Sequence, residues 1–168
     1  MKNDMPKRKH PRLDDFDYSS AGAYFVTICT QDRCCVLSDV ISPSSHSPIG
    51  VKYTRYGCVA EEQLLALPER FPFVEIYDYV IMPNHIHAVF VFKRKNDILN
   101  ERQTLTDIIC AYKSLTAKEC RENGFRGKLF QTSFYEHIVR NYDEYKEIAE
   151  YIYNNPINWY YDELYYNK

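Results

Sequence analysis

Two histidines separated by one residue, in Met82-Pro83-Asn84-His85-Ile86-His87, are the strongest chemical feature of the chain. Successive side chains of a strand point to opposite faces, so both imidazoles can reach one ion while Ile86 turns into the core. Spacing alone equally fits two surface histidines on a half-exposed strand, and a two-histidine site needs a further ligand from elsewhere. Glu147, Tyr151 and Asn155 lie four apart, nearly in line on one flank of a helix, and offer one. At about 100° per residue, the apolar line Tyr145, Ile148, Ala149, Ile152 sits roughly a quarter-turn away. If that line packs on a sheet, Tyr151 and Asn155 stand at the edge of the helix–sheet groove. Tyr153 stands at the opposite edge, so periodicity leaves the choice between the two tyrosines open. Imidazole ligands by themselves suit Zn²⁺ as well as Mg²⁺ or Mn²⁺.

The elements that must position these groups follow from local pattern. Ala23 to Thr30 is dense in β-branched and aromatic residues and reads as a buried strand. Ser38 to Val51, with Ser-Pro-Ser-Ser-His-Ser-Pro inside it, reads as a loop carrying a solvated His46. Tyr53 to Leu67 is helical, with Val59, Leu64 and Leu65 inward, and should stop at Leu67-Pro68. Two strands follow, Val74 to Met82 and His85 to Phe92, joined by Pro83-Asn84. Thr104 to Glu122 is a second helix: Thr104 caps it, Asp107 suits its first turn, and Asn123-Gly124 stops it. Phe134 to Val139 is a short strand holding His137, read as structural. Asp143 to Asn154 is a third helix that should end near Asn155-Pro156. The order matches an α+β, ferredoxin-like βαββαβ antiparallel sheet, with one additional C-terminal helix carrying Tyr151.

A chain of 168 residues, 45% apolar, suffices for one domain with a real core. The expected organisation is a basic arm over residues 1–17 and a single domain over 18–168. With aromatics at 15%, disorder of the whole is excluded. No apolar run approaches the roughly 20 residues that span a bilayer, and Met-Lys-Asn-Asp does not open a signal peptide. A cytoplasmic protein with no membrane partner is expected. The six cysteines show no Cys-x-x-Cys spacing and read as free thiols. A net charge of −2 argues weakly against nucleic acid, yet basic residues cluster locally. Lys7, Arg8, Lys9 and Arg12 form the arm, Lys93 and Arg94 close the hairpin, and Arg121 and Arg126 follow the second helix. These are the candidate phosphate contacts.

Four segments carry a resemblance: Gly22-Ala-Tyr-Phe-Val-Thr-Ile-Cys-Thr30, Val80-Ile-Met-Pro-Asn-His-Ile-His-Ala-Val-Phe90, Phe134-Tyr-Glu-His-Ile-Val-Arg-Asn141 and Tyr151-Ile-Tyr-Asn-Asn-Pro156. Together, in this order and from Tyr18 to about Trp159, they resemble the single-tyrosine HUH transposases, and within them the REP-associated tyrosine transposases of bacteria. The resemblance implies that His85 and His87 hold Mg²⁺ or Mn²⁺, that Tyr151 is the nucleophile, and that Asn155 completes the metal site. It also implies single-stranded DNA beside a hairpin as substrate, cut through a 5′-phosphotyrosine with release of a 3′-OH. The chain stops soon after Asn155-Pro156, so a long C-terminal extension for docking DNA is not expected.

The chemistry suits these residue types. A metal on a nonbridging oxygen stabilises charge developing on the phosphodiester, and a phenol becomes a useful nucleophile beside a cation. The phosphotyrosine keeps the phosphodiester energy, so a 3′-OH can reverse the step without ATP. Two other readings compete: a domesticated, noncatalytic DNA-hairpin binder, and a metallohydrolase using water at His85 and His87. Both a monomer and a homodimer with exchanged tyrosine helices fit the sequence.

Overall fold

A computed structural model describes residues 21–41, 49–93 and 103–165. Within them, β1 (Gly22–Cys29) leads through a 3₁₀ turn (Gln31–Arg33) to β2 (Ser38–Ile41) and β3 (Gly50–Tyr53). Helices α1 (Arg55–Leu65) and α2 (Leu67–Arg70), strands β4 (Val74–Ile81) and β5 (His85–Phe92), and helix α3 (Leu105–Glu122) follow. Strand β6 (Tyr135–Val139), helix α4 (Tyr142–Asn158) and a second 3₁₀ turn (Trp159–Tyr161) complete the order. The main sheet runs β4-β5-β1-β6 with every pair antiparallel. Counting only β1, β4, β5 and β6, this is the strand order of the expected ferredoxin-like βαββαβ fold, with α4 added.

Alternation along β5 divides the interior in two. Ile86, Ala88, Phe90 and Phe92 join Tyr24, Val26 and Ile28 of β1 in a core closed by Leu64 of α1 and Ile108, Ile109 and Tyr112 of α3. On the opposite face, Val89 packs with Val80, Met82, Ile152 of α4 and Trp159. Helix α4 therefore covers the face that α1 and α3 leave open, and strand β5 is buried on both sides.

Capping follows the sequence signals. Thr104 and Asp107 form a reciprocal capping box at α3, which holds the Asp107 carboxyl below its ordinary range. Gly124 takes a positive φ of 92° just past the Asn123 C-cap, the conformation for which glycine is chosen there.

Several boundaries differ from the sequence reading. The segment read as a loop holds a short hairpin, β2 paired with β3; His46 and the rest of residues 42–48 lie outside the described residues. Pro68 does not end the first helix: α1 has already stopped at Leu65, and Pro68 occupies the first turn of α2, where its missing N–H costs nothing. Leu65 faces solvent, and Ala60 and Gln63 are buried in α1. Helix α4 runs through Pro156 to Asn158. Proline there removes a bond only in the last turn, after which the chain tightens into the 3₁₀ turn. All six cysteines are free thiols. Among the described residues, no helix is long and apolar enough to cross a membrane.

One close approach locks the hairpin to α1. A Cβ added to Gly57 would lie 2.0 Å from the Leu37 carbonyl oxygen. The same backbone oxygen accepts from Thr54 Oγ1, whose hydroxyl caps α1 through Tyr56 and Gly57. Glycine to alanine in a helix ordinarily gains about 1 kcal/mol. Here overpacking against backbone reverses the sign, and Gly57→Ala should destabilise the protein by about 1–3 kcal/mol, read from urea unfolding. A more stable variant would show that the approach relaxes freely.

Candidate active site

Antiparallel register sets the site. His87 lies opposite Thr27 and His85 opposite Cys29 on the neighbouring β1. Cross-strand partners share a face, so Thr27 Oγ1 reaches His87 Nδ1 at 2.8 Å. Both histidines are buried, and their ring centroids are 4.5 Å apart. The reading of two surface histidines on a half-exposed strand is thereby corrected: α4 and Trp159 cover the face that the β5 pattern alone left open. Trp159 stands 5.9 Å from the His85 ring, between centroids.

Helix α4 brings the phenol. Tyr151 Oη lies 3.3 Å from His87 Nε2, and the Tyr151 ring crosses that of Phe25 edge-on at 6.1 Å. Tertiary packing separates the two tyrosines: Tyr151 is 46% exposed at the mouth of the site, while Tyr153 is 81% exposed on the far flank. Asn155, one turn on, is buried, and its Nδ2 donates to Asp162 Oδ2 at 3.1 Å. Glu147, the third member of that flank, remains exposed.

Asp162, from the segment after α4, was not anticipated; no spacing rule links it to a strand some 75 residues earlier. Its carboxylate and ligand atoms of His85 and His87 all lie within 4.8 Å of one another. His85 Nε2 and Asn155 Oδ1 are buried there without a hydrogen-bond partner among the described residues. Two imidazole nitrogens, an amide oxygen and a carboxylate make a mixed N/O donor set that fits a divalent cation such as Mn²⁺, and Zn²⁺ also. The unsatisfied buried atoms are the observation that a bound ion would account for.

Burial controls the titration. Desolvation pulls His85 down to about 4, opposed in part by the Asp162 carboxylate and the Asn155 side chain. His87 is held well below its ordinary value, by desolvation first and then by its neighbour His85. Both rings are therefore neutral at pH 7, the form that binds metal. Burial, then the Asp162 charge, raises the Tyr151 phenol above 10, with Asn155 acting the other way. Without a cation the phenol stays protonated.

Beside the constellation lies a cavity of about 1130 Å³ whose walls include Phe25, His87, Tyr151, Asn155 and Tyr135. Its volume admits a nucleotide unit. Of the candidate phosphate contacts, Lys7, Arg8, Lys9, Arg12 and Arg94 lie outside the described residues. Lys93 is paired with Glu75 at the end of the sheet. Arg121 and Arg126 are exposed, but α3, which carries Arg121, packs on the opposite face of the sheet from the histidines. The cations beside the cavity wall are others: Lys113 Nζ donates to the Gln131 and Thr132 carbonyls, and Lys128 Nζ to Thr132 Oγ1. His137 Nε2 donates to Glu144 Oε1 at 2.6 Å, a β6–α4 tie, as its structural reading expects.

No family model matches the chain. A Haemophilus influenzae protein of uncharacterized function is 32% identical to it over 94% of this chain and 93% of its own length. The REP-associated tyrosine transposase of Escherichia coli K12 is 24% identical, covering 83% of this chain and 69% of that protein. Among solved structures, a REP-associated tyrosine transposase bound to a REP hairpin superposes with a TM-score of 0.62 at 20% identity. That match covers 90% of this chain and 76% of the other.

Neutral burial of the histidines has a thermodynamic consequence. An unfolded histidine titrates near 6.5 and folded His85 near about 4, so between these values the unfolded chain binds more protons. Stability from this group is complete above about 6.5 and is lost as pH falls toward about 4. The melting temperature of metal-free protein should drop from about pH 7 to about pH 5, and His85→Gln should flatten that slope. An unchanged slope in the variant would show that the ring is not held neutral by the fold.

Proposed function

We propose that this chain, which belongs to the REP-associated tyrosine transposase family, cleaves and rejoins single-stranded DNA beside a hairpin, with Tyr151 as nucleophile. The observation that carries the reading is the phenol: Tyr151 Oη stands 3.3 Å from His87 Nε2, beside buried and unpartnered His85 Nε2 and Asn155 Oδ1.

In this reading the scissile phosphate enters the cavity from the side of Tyr151. The phenolic oxygen forms a bond to phosphorus while the P–O3′ bond breaks, leaving a 5′-phosphotyrosine and a free 3′-OH. Tyr151 is open enough to solvent that its proton leaves to water, and the departing 3′ oxygen takes one up. His85, His87, Asn155 and Asp162 are the residues that would hold a divalent cation, Mg²⁺ or Mn²⁺, with Zn²⁺ the weaker choice. When bound, that ion supplies Lewis-acid stabilisation of the phosphoryl charge and favours the phenolate. The chain's own part is orientation. The rings are fixed on a strand and the phenol on a packed helix, rigid elements that hold reacting atoms better than loops do. The bond count is conserved through the covalent step, so attack by the same or another 3′-OH restores a phosphodiester.

Tyr151 and the histidines meet within one chain, which supports a centre complete in a single copy over one completed by exchanged helices. The basic arm at Lys7, Arg8, Lys9 and Arg12, with Arg94, Arg121 and Arg126, is our assignment for backbone contacts to the hairpin. Cytoplasmic DNA is the expected setting.

A hairpin oligonucleotide labelled at its 3′ end should yield a labelled covalent protein adduct with Mn²⁺. Tyr151→Phe should abolish the adduct and Tyr153→Phe should retain it. His85→Ala should lower cleavage by about 100-fold or more, while hairpin affinity changes by less than about tenfold, because phosphate contacts elsewhere carry most of the binding. An adduct that survives Tyr151→Phe overturns the assignment. Binding without cleavage under every metal tried would favour the noncatalytic hairpin binder. A free 5′-phosphate with no adduct would favour water as nucleophile.

A further inference from the structure

Asn84 lies between the two proline-flanked strands and immediately before the first histidine, and its side chain is buried. Its amide nitrogen donates to the Leu164 carbonyl at 2.8 Å and points at the Arg33 carbonyl at 3.4 Å. Both partners are oxygens that only accept, so the orientation of the amide is settled chemically, and Oδ1 is the atom turned toward His85. Oδ1 lies 2.9 Å from His85 Nδ1. An amide oxygen has no proton to give, so the proton of this hydrogen bond sits on Nδ1. A neutral imidazole carries only one proton, which leaves Nε2 with a lone pair facing the Asn155 and Asp162 side chains.

His87 has no equivalent device. Its Nδ1 partner is the Thr27 hydroxyl, which can give or take a hydrogen bond, so geometry alone does not choose a tautomer there. Asn84 is also fixed at its backbone: its carbonyl accepts from Thr30 N and Thr30 Oγ1. The Arg33 carbonyl reaches it from a turn in which Asp32 and Arg33 both adopt positive φ, 54° and 53°, a conformation that side-chain-bearing residues rarely take in succession. The Arg33 guanidinium in turn donates to the Glu163 carbonyl. One strained turn and the segment that delivers Asp162 thus converge on a single amide.

We propose that Asn84 is a positioning residue: it sets the tautomer of His85 so that Nε2 is free for a cation, and it couples the Asp162–Leu164 segment to that ring. The proposal rests on the reading of the cluster as a divalent-cation site. Ligating histidines generally depend on such outer partners, whose loss weakens metal binding by about 10–100-fold.

The test uses the full chain and two readouts. Long-range ¹H–¹⁵N correlation spectra of the metal-free protein should show His85 protonated at Nδ1, and Asn84→Ala should shift the ring toward the Nε2–H form. Mn²⁺ titration is read by quenching of Trp159, the only tryptophan, whose ring stands beside His85. Asn84→Ala should raise the Mn²⁺ Kd by about 10–100-fold. Asn84→Asp, which keeps the acceptor facing Nδ1 but sets its second oxygen against the Leu164 and Arg33 carbonyls, should keep the Nδ1–H tautomer in the spectrum. A wild-type His85 protonated at Nε2 overturns the proposal without any variant. So does an Mn²⁺ affinity unchanged in Asn84→Ala, or a His85 ring protonated at Nε2 in Asn84→Asp. Wild-type protein that shows no quenching would instead sink the cation reading, and the tautomer spectrum would still decide the role of Asn84.

Discussion

Everything at this site depends on burying two imidazoles side by side without charging either. A protonated ring there would lose its hydration and face a like neighbour at 4.5 Å. The fold therefore holds both rings neutral, each with a lone pair, and gathers the Asn155 and Asp162 oxygens beside them, a set that a cation could join. Asn155 Oδ1 and His85 Nε2 are left unpaired in the interior, an arrangement that costs stability in a protein of any other purpose. A bound cation would satisfy both groups at once.

The rest of the molecule can be understood as support for that burial. Strand β5 is covered on both faces, so its alternation has two different consequences: one set of side chains builds the main core and the other builds the site. Helix α4 does two jobs with one surface. Ile152 seats it on the sheet, and the adjoining flank presents Tyr151 and Asn155 to the histidines. Pro156 falls where the helix is about to tighten, and the turn that follows carries Trp159 over His85 and Asp162 toward Asn155. The tyrosine itself is half-open, so its hydroxyl is reachable from the cavity.

Relatives named for transposition match this chain along most of its length, and one carboxylate shapes the electrostatics of the site. Asp162 raises the phenol's affinity for its proton while also drawing positive charge toward His85. A divalent ion would neutralise that carboxylate and remove its opposition to ionisation of Tyr151. The acidic group beside Tyr151 is therefore consistent with a site that holds a cation.

Much of this was legible in the amino-acid order, because much of it is local. Period-2 alternation placed His85 and His87 on one face and Ile86 on the other; Thr104 with Asp107 and Asn123-Gly124 bounded α3; four-residue spacing put Tyr151 and Asn155 together. Each of these rests on geometry repeated within a few residues. The hairpin hidden in a serine- and proline-rich stretch was not legible, since strands of four residues leave too short a pattern. Nor was the length of α4 through Pro156, which depends on what the end of the helix packs against. The different surroundings of Tyr151 and Tyr153, the burial of the histidines and the arrival of Asp162 and Asn84's partners belong to tertiary structure alone. They require surfaces distant in sequence to be pressed together, and side-chain periodicity carries no information about which distant surface will meet it.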